Sequence, residues 1–342
     1  MRRVMIVTNA LSGGGAERSM NLLASELDFR GWPVALVPIN AGNSDLVNPT
    51  CATFPLNRDS SGSIFSTIRA LKNFYKALFN WKPDVLILNC DLPELFGCAA
   101  IGPISIIGIE HSAIPWIKRR RLGGLVRKVL AFRGVVWVAV SSHLGIWGSK
   151  NGPAAVMQNP LGTILDENID YRRGGTIKRL VFVGRLAEEK NPHIAVSVAN
   201  VTKLTLEFFG SGQLEESLQR EVQQYKINAI FNGHVKDPWS YLQKGDLLIV
   251  PSATEGDGLV ILEAFQRGIP LLLADIPDLR RFGLLDKNYC TEINDYIERI
   301  DTYRGDISKL CPSVEIVKPI LDERSLSTIC DDWEALLNGL LR

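Results

Sequence analysis

The sequence predicts an α/β protein built from two doubly wound, parallel-sheet domains, and three observations carry that expectation. At 342 residues the chain exceeds one ordinary domain and suits two of roughly 150 each. Short apolar runs alternate with stretches of helical periodicity in both halves, the pattern of parallel βαβ units. Between the halves, Leu161–Thr176 carries glycines and mixed charge without periodicity and reads as a linker. The domains are expected at residues 1–163 and 164–324, followed by a terminal helix over 325–342.

In the first half, the apolar run Val4–Thr8 predicts strand 4–8, followed by a helix over about 15–30 and strand 33–39. Strand 52–56, helix 63–80, strand 84–89, helix 92–101 and strand 104–110 come next. After a basic segment, strand 135–140, helix 142–150 and strand 154–158 complete the domain. The second half reads as strand 178–183, helix 191–201, strand 204–209, helix 213–225, strand 228–231, helix 237–243, strand 247–250, helix 258–267 and strand 270–273. In the tail, Leu326, Ile329, Trp333, Leu336, Leu337 and Leu340 recur at helical spacing. Both halves are thus Rossmann-like, and ligands should bind at the carboxyl ends of the strands. Asn9–Gly15, Glu110–His111 and Ser141–Ser142 all follow strand ends.

Hydrophobic content of 46% supplies two cores, and the net charge of +1 conceals an asymmetry. Residues 1–163 carry 17 Lys+Arg against 9 Asp+Glu, a net of +8, while residues 164–342 carry 21 against 28, a net of −7. No acid lies between Glu110 and Asp166, whereas Lys118, Arg119, Arg120, Arg121, Arg127, Lys128, Arg133 and Lys150 do. Interleaved with Ile114, Trp116, Ile117, Leu122, Leu125, Val126, Val129, Leu130 and Phe132, these cations allow two readings: an amphipathic helix on an anionic membrane surface, or a core helix with solvated cations. No nucleic-acid motif accompanies them, so no nucleic-acid partner is expected. Six cysteines without a Cys-x-x-Cys pair argue against a zinc site and a disulfide framework. With no signal-peptide pattern and no uncharged run near 20 residues, the chain is expected to be cytoplasmic, touching a membrane only peripherally.

The most informative stretch is Pro251-Ser252-Ala253-Thr254-Glu255-Gly256-Asp257-Gly258-Leu259, which follows the apolar run Leu247–Val250 and opens a helix containing Glu263. Glycines and a helix N-terminus suit a phosphate. Glu255 is expected at the rim of that pocket and Glu263 further in, so that the two carboxylates hold opposite ends of a ligand whose middle is a diphosphate, as in a nucleotide sugar. Glu263 interrupts apolar neighbours, so it either accepts hydrogen bonds from a ribose or pairs with Arg267 at i,i+4. Arg185 and Lys190 follow another strand and can neutralise a diphosphate as it leaves, or pair with Glu188 and Glu189. Gly13-Gly14-Gly15 lacks the third glycine and the ribose acid of a dinucleotide fingerprint. It reads as a flexible approach to donor sugar and phosphates or as a tight turn. His111 directly follows a strand, either as a sugar-contacting group or as a satisfied structural residue. No Asp-x-Asp occurs, so no metal and no cofactor are expected.

The spacing Glu-x7-Glu after Pro-Ser-x-x-Glu-Gly resembles the signature of the retaining family 4 glycosyltransferases. Met5–Arg18, Glu110-His111-Ser112, Val140-Ser141-Ser142, Gln158-Asn159-Pro160, Phe182–Asn191, Phe208–Gly212 and Asn232–Val235 match in that family's order across nearly the whole chain. The resemblance implies the GT-B fold, two Rossmann-like domains facing across a cleft, with the last helix crossing back onto the first. It implies catalytic roles for Glu255, His111, Arg185 and Lys190. Donor contacts follow from Gly14, Gly15, Ser211, Val235, Gly256, Asp257, Gly258, Leu259 and Glu263. The donor is a nucleotide diphosphate sugar, UDP-linked or GDP-linked, and the acceptor a saccharide, expected to be lipid-linked. Asp257 departs from the pattern, where an aromatic is common, and a carboxylate there repels a diphosphate unless it points away. Ala274-Asp275-Ile276-Pro277-Asp278 lacks the family's glycine. A sugar-nucleotide epimerase or a non-catalytic nucleotide-sugar-binding subunit are the alternative readings.

Overall fold

The computed structural model describes residues 2–11, 14–41, 50–59, 63–112, 114–117, 119–162 and 174–339. The chain divides into unit 1, residues 1–162 with 324–342, and unit 2, residues 163–323. Unit 1 contains β1 (Val4–Thr8), α1 (Gly15–Phe29), β2 (Val34–Pro38), β3 (Ala52–Thr53), α2 (Ile64–Trp81), β4 (Val85–Asn89), α3 (Asp91–Cys98), β5 (Ser105–Glu110), α4 (Arg120–Phe132), β6 (Val136–Ala139) and β7 (Ala155–Val156). Unit 2 contains β8 (Arg179–Val183), α5 (Pro192–Thr202), β9 (Thr205–Phe209), α6 (Glu215–Gln224), β10 (Ala229–Phe231), β11 (Asp246–Val250), α7 (Leu259–Arg267), β12 (Leu271–Ala274), α8 (Pro277–Arg280), β13 (Tyr289–Cys290), α9 (Ile293–Tyr303) and α10 (Val314–Asp322). The final helix, α11 (Leu326–Gly339), belongs to unit 1.

Each unit has one parallel sheet: seven strands ordered β3-β2-β1-β4-β5-β6-β7 in unit 1, and six ordered β10-β9-β8-β11-β12-β13 in unit 2. Every side chain of β1, β2, β4 and β11 is buried. That explains why these strands read as unbroken apolar runs, since a parallel sheet is covered on both faces. In unit 1, Val4 and Ile6 join Leu23, Leu27, Trp333 and Leu337 of α1 and α11 in one core layer. Met5 and Val7, pointing the other way, join Phe74, Phe96, Val126 and Leu130 of α2, α3 and α4 in the second. Arg30 ties α1 to α11 through Asp331 at 2.5 Å and Glu334 at 3.1 Å. In unit 2, Phe182, Phe208 and Leu272 pack with Val196 and Tyr296.

Several elements differ from the expectation. Residues 142–150 form turns rather than a helix, leaving His143 outside any helix. Gly145 and Gly148 weaken helix formation there, and the Trp147 backbone is engaged elsewhere, its N–H with Glu110 at 3.3 Å and its carbonyl with Arg127 at 2.9 Å. The paired parts of strands 52–56 and 154–158 are two residues each, because β3 and β7 are the sheet's edges. The helix expected over 237–243 is a 3-10 turn at Pro238–Tyr241, capped by Asp237 accepting from Trp239 N–H at 3.2 Å. Most of the linker, residues 163–173, lies outside the described residues. No described helix is long and apolar enough to cross a membrane.

Candidate functional site

In unit 2 the strand order reverses direction at β8, whose neighbours are β9 and β11. A crevice for ligands opens beyond the carboxyl ends of strands at such a switch point. Here the segments after β8, β9, β10 and β11 are stitched together by backbone hydrogen bonds. Gly184 N–H donates to Phe209 O at 2.9 Å, Leu186 N–H to Ser211 O at 3.0 Å, Gly210 N–H to Gly233 O at 2.7 Å, and Ala253 N–H to Glu189 O at 3.0 Å. Gly210 has φ +142°, and a Cβ there would stand 1.9 Å from the Gly184 carbonyl oxygen. Glycine is therefore a steric requirement where these loops cross.

Lys190 and Glu255 meet at this crossing. Lys190 ends a 3-10 turn, Glu188–Lys190, just before α5, and its ammonium donates to Glu255 Oε1 at 2.6 Å. Ser252 Oγ donates to the same oxygen at 2.9 Å. Glu255 is 5% exposed, so it stands inside the turn and not at a rim as the sequence suggested. A buried carboxylate needs such partners. Arg185, by contrast, is 69% exposed on its side chain, with Glu189 Oε1 3.5 Å away. The surface pairing left open above is the arrangement it adopts.

The turn is supported from beneath by residues that sequence reasoning passed over. Asp278 Oδ2 accepts from Glu255 N–H at 2.8 Å and from Thr254 Oγ1 at 2.9 Å. Arg281 donates to the Asp257 carbonyl at 2.5 Å and to the Asp278 carbonyl at 2.8 Å. Its guanidinium also lies 3.8 Å from the Asp257 carboxylate. A neighbouring cation thus faces the charge that the family pattern made suspect. The segment Pro277–Arg281, where the family's glycine is missing, supplies this support. The only sequence signal for it was the cluster of charged residues, Asp275, Asp278, Arg280 and Arg281, just after a strand. Gly258, φ +67°, caps α7, so Leu259 opens a helix at the end of the Glu255–Gly258 turn.

Glu263 is half-buried on α7. Trp239 Nε1 donates to its Oε2 at 2.9 Å, while Arg267 donates to the Glu263 backbone carbonyl at 3.1 Å and lies 5.3 Å from the Trp239 ring. Ser211 is exposed and Val235 half-buried, in the segments after β9 and β10. Glu255, Gly256, Asp257, Gly258, Leu259, Glu263, Lys190, Ser211 and Val235 therefore all belong to unit 2, beyond the carboxyl edge of its sheet or on α7.

Gly14, Gly15 and His111 belong to unit 1. Gly14 caps α1, which begins at Gly15, and Asn9 reaches across the loop to Glu17 Oε1 at 3.1 Å. Residues 12–13 lie outside the described residues, so Gly13 has no structural account. His111 Nε2 lies 2.5 Å from Asn89 Oδ1. The Asn89 amide nitrogen donates to Thr8 Oγ1 at 3.2 Å and to the Ala16 carbonyl at 3.3 Å. Because a carbonyl only accepts, this fixes the amide orientation, and His111 carries its proton on Nε2. Fully buried Asn89, the last residue of β4, joins β1, α1 and His111 at one edge, and sequence reasoning had not singled it out.

The basic segment is divided in two by the fold. Arg127 is not on a solvated face: it is buried, donating to Glu94 at 2.7 and 3.1 Å, to Glu110 at 2.6 Å and to the Trp147 carbonyl at 2.9 Å. Trp137 lies over it, 4.4 Å from ring centre to guanidinium. Burial pushes the Glu94, Glu110 and Asp91 carboxyls above their ordinary range, against the pull of Arg127. Arg133 donates to the Gly97 and Ala100 carbonyls. Arg119, Arg120, Arg121, Lys128 and Lys150 are exposed, and Lys118 lies outside the described residues.

Comparison with known proteins bears on the family and the fold. Residues 169–287 match the family model "Glycosyl transferases group 1". The chain is 27% identical over 279 residues to a Campylobacter jejuni GalNAc-alpha-(1->4)-GalNAc-alpha-(1->3)-diNAcBac-PP-undecaprenol alpha-1,4-N-acetyl-D-galactosaminyltransferase, covering 77% of each. It is 31% identical over 133 residues to the Escherichia coli O-antigen biosynthesis glycosyltransferase WbnH, covering 37% of this chain and 39% of that one. Among solved structures, Anabaena HepE in complex with UDP and glucose matches with a TM-score of 0.78 at 17% identity, covering 99% of this chain and 100% of that one. Sucrose-phosphate synthase from Thermosynechococcus elongatus matches with a TM-score of 0.76 at 16% identity, covering 100% and 99%. The fold is that of the GT-B glycosyltransferases, and the chain is a glycosyltransferase.

Proposed function

We propose that the chain is a retaining family 4 enzyme that transfers a hexosyl or N-acetylhexosaminyl group from a nucleotide diphosphate sugar to a hydroxyl of a lipid-linked saccharide in surface polysaccharide assembly. The observation that carries this reading is the Lys190–Glu255 pair, set at the switch point of unit 2 beside a helix N-terminus. A UDP-sugar is the favoured donor, with a GDP-sugar second. UDP occupies the structurally similar HepE, and the Campylobacter relative is named for an undecaprenol-linked acceptor.

In this mechanism Glu255 accepts from the donor sugar's hydroxyls, and Lys190 turns toward the diphosphate as negative charge develops on the leaving group. Exposed Arg185 swings in from Glu189 to join it. Glu263 holds the ribose diol. The acceptor attacks from the face the diphosphate leaves, and the β-phosphate takes its proton, so retention requires no protein nucleophile. His111, its Nε2 proton engaged by Asn89, orients the sugar near the reacting carbon. No divalent metal is required, since the cations and the α7 N-terminus act on the phosphates.

A cytoplasmic enzyme with a lipid-linked acceptor has to meet the inner face of the membrane. α4 suits this contact: Leu122, Leu125, Val129 and Phe132 form an exposed row, Leu125 at 61% and Phe132 at 94%, beside exposed Arg119, Arg120, Arg121 and Lys128. Changing Arg119, Arg120 and Arg121 together to Ser should weaken co-sedimentation with anionic vesicles, most clearly at low salt. The reading as a whole is tested with a panel of nucleotide sugars. A true donor raises the thermal midpoint and releases nucleoside diphosphate only when a saccharide acceptor is present. A donor altered at a sugar carbon with its diphosphate intact indicates an epimerase instead, and stabilisation without any turnover indicates a binding subunit.

A further inference from the structure

We propose that α2 is a second membrane-contacting element of unit 1, its outward row docking on anionic lipid alongside α4. At about 100° per residue, Ile64, Phe65, Ile68, Tyr75 and Phe79 fall within an arc of roughly 100°. All five are exposed, Phe65 at 86% and Phe79 at 76%. The opposite face of the helix, with Ala70, Phe74, Ala77 and Leu78, is the one that packs into the core. The outward row is therefore surplus to the fold. An exposed apolar row of this extent marks a contact surface.

Charge selects the occupant. Lys72 falls inside the apolar arc, Lys76 and Arg69 border it, and Lys82 follows the helix. No acidic residue occurs from Ser60 to Pro83. Long cationic side chains beside an apolar row can extend to a phosphate layer while their stems lie on hydrocarbon. A second copy of the chain meeting the same face would set these cations against one another, whereas anionic headgroups neutralise them.

Position agrees with charge. α2, α3 and α4 contribute to one core layer on the same face of the sheet. The exposed charged residues of α2 and α4 are all cations, and the Glu94 carboxylate of α3 is turned inward onto Arg127. Each of these helices joins the carboxyl end of one parallel strand to the amino end of the next, so both rows run along the sheet and not across it. Lipid lying against both rows would hold unit 1 by its flank, with the carboxyl edge that bears His111 beside the headgroups. Two parallel rows fix an orientation that one row leaves free to roll. This last step rests on the transferase reading, while the docking itself does not.

The test is flotation of the full chain with vesicles of phosphatidylcholine alone and of phosphatidylcholine mixed equally with phosphatidylglycerol. The expected result is recruitment to the mixed vesicles at low salt, with Phe65→Ser plus Phe79→Ser and Lys72→Glu plus Lys76→Glu each lowering it by about tenfold or more. These side chains are exposed, so neither pair should lower the thermal midpoint. If both pairs float like the wild type while Leu125→Ser plus Phe132→Ser does not, contact is confined to α4 and the proposal fails. It also fails if, without lipid, the chain sediments as a dimer that Phe65→Ser plus Phe79→Ser dissociates, since the face then belongs to a second copy. UDP-induced thermal stabilisation is measured in parallel. Vesicle binding without any UDP response would remove the UDP-sugar donor from the proposed function and leave the surface standing, and a UDP response without vesicle binding would do the opposite.

Discussion

Replacing Arg127 with Met should destabilise unit 1 by about 3–5 kcal/mol at neutral pH, the usual cost of leaving buried partners uncompensated. The structure places that cost in one cluster. The guanidinium contacts Glu94 at 2.7 Å and Glu110 at 2.6 Å, and both carboxylates are buried. Met keeps most of the volume and none of the charge, so two carboxylates face each other with Asp91 nearby. Burial already raises all three carboxyls, so the folded chain holds protons that the unfolded chain has released. Stability from that source is fully present below the ordinary carboxylate range and is lost as pH rises through the folded values. Without Arg127 those values rise further, and the variant's deficit should be largest at neutral pH and shrink on acidification. Urea unfolding at about pH 5 and about pH 7.5 measures this. Tryptophan fluorescence is a suitable probe, because six of the seven tryptophans lie in unit 1. Adding Glu94→Gln and Glu110→Gln should restore part of the loss. A deficit below about 1 kcal/mol at the higher pH, or one equal at both, would refute the reasoning.

The unit 2 site supports three further expectations. Glu255→Gln keeps acceptors for Lys190 and Ser252, so the fold should survive and UDP should still bind while turnover falls sharply; Glu263→Ala should instead weaken nucleotide binding by about 1–3 kcal/mol, and negligible effects from both on calorimetry and rate would dismiss the assignment. Arg185→Ala and Lys190→Ala should each slow transfer by about tenfold or more in an assay that tolerates EDTA, and a complete loss in EDTA reversed by manganese or magnesium would overturn the cation-based account of the phosphate site. Gly210→Ala should lower the thermal midpoint and abolish donor binding together, since its Cβ cannot stand 1.9 Å from the Gly184 oxygen; an unchanged UDP affinity would show that the loop crossing has slack.

Legibility followed how local the determining forces are. The central strands of both sheets were readable because burial on two faces leaves unbroken apolar runs, as in β1 and β11. Between β12 and α11 the chain was opaque. Pro319 sits inside α10, where a proline argues against helix, and α9 begins with a capping box from Glu292 and Asp295, acids that read equally well as solvated charge. The Glu255 turn was legible as a phosphate-friendly motif. Its support was not, because Asp278 and Arg281 reach it across 23 and 24 residues of sequence, and nothing local marks such a partner. Asn89 was hidden similarly: its role at His111 comes from the adjacency of β4 and β5.

The basic segment shows most clearly why residue type alone misleads. Arg127 stands in a run of cations and reads as one more solvated charge, yet it lies on the face of α4 that also buries Val126 and Leu130. One helix thus presents Leu125 and Phe132 outward and, on its other side, grips Glu110, the residue before His111. A force that shifts α4 against the sheet has to move Arg127 relative to Glu110 or carry the end of β5 with it. Packed interiors transmit such displacements rather than absorb them. If the outward row of α4 meets lipid, the contact is linked through Arg127 to the strand end that positions His111, so vesicles that recruit the enzyme should also alter its turnover on a soluble acceptor analogue. Arg127→Met should uncouple the two, still binding vesicles while its turnover no longer responds to them. A variant whose rate follows vesicle concentration as the wild type does would break this link.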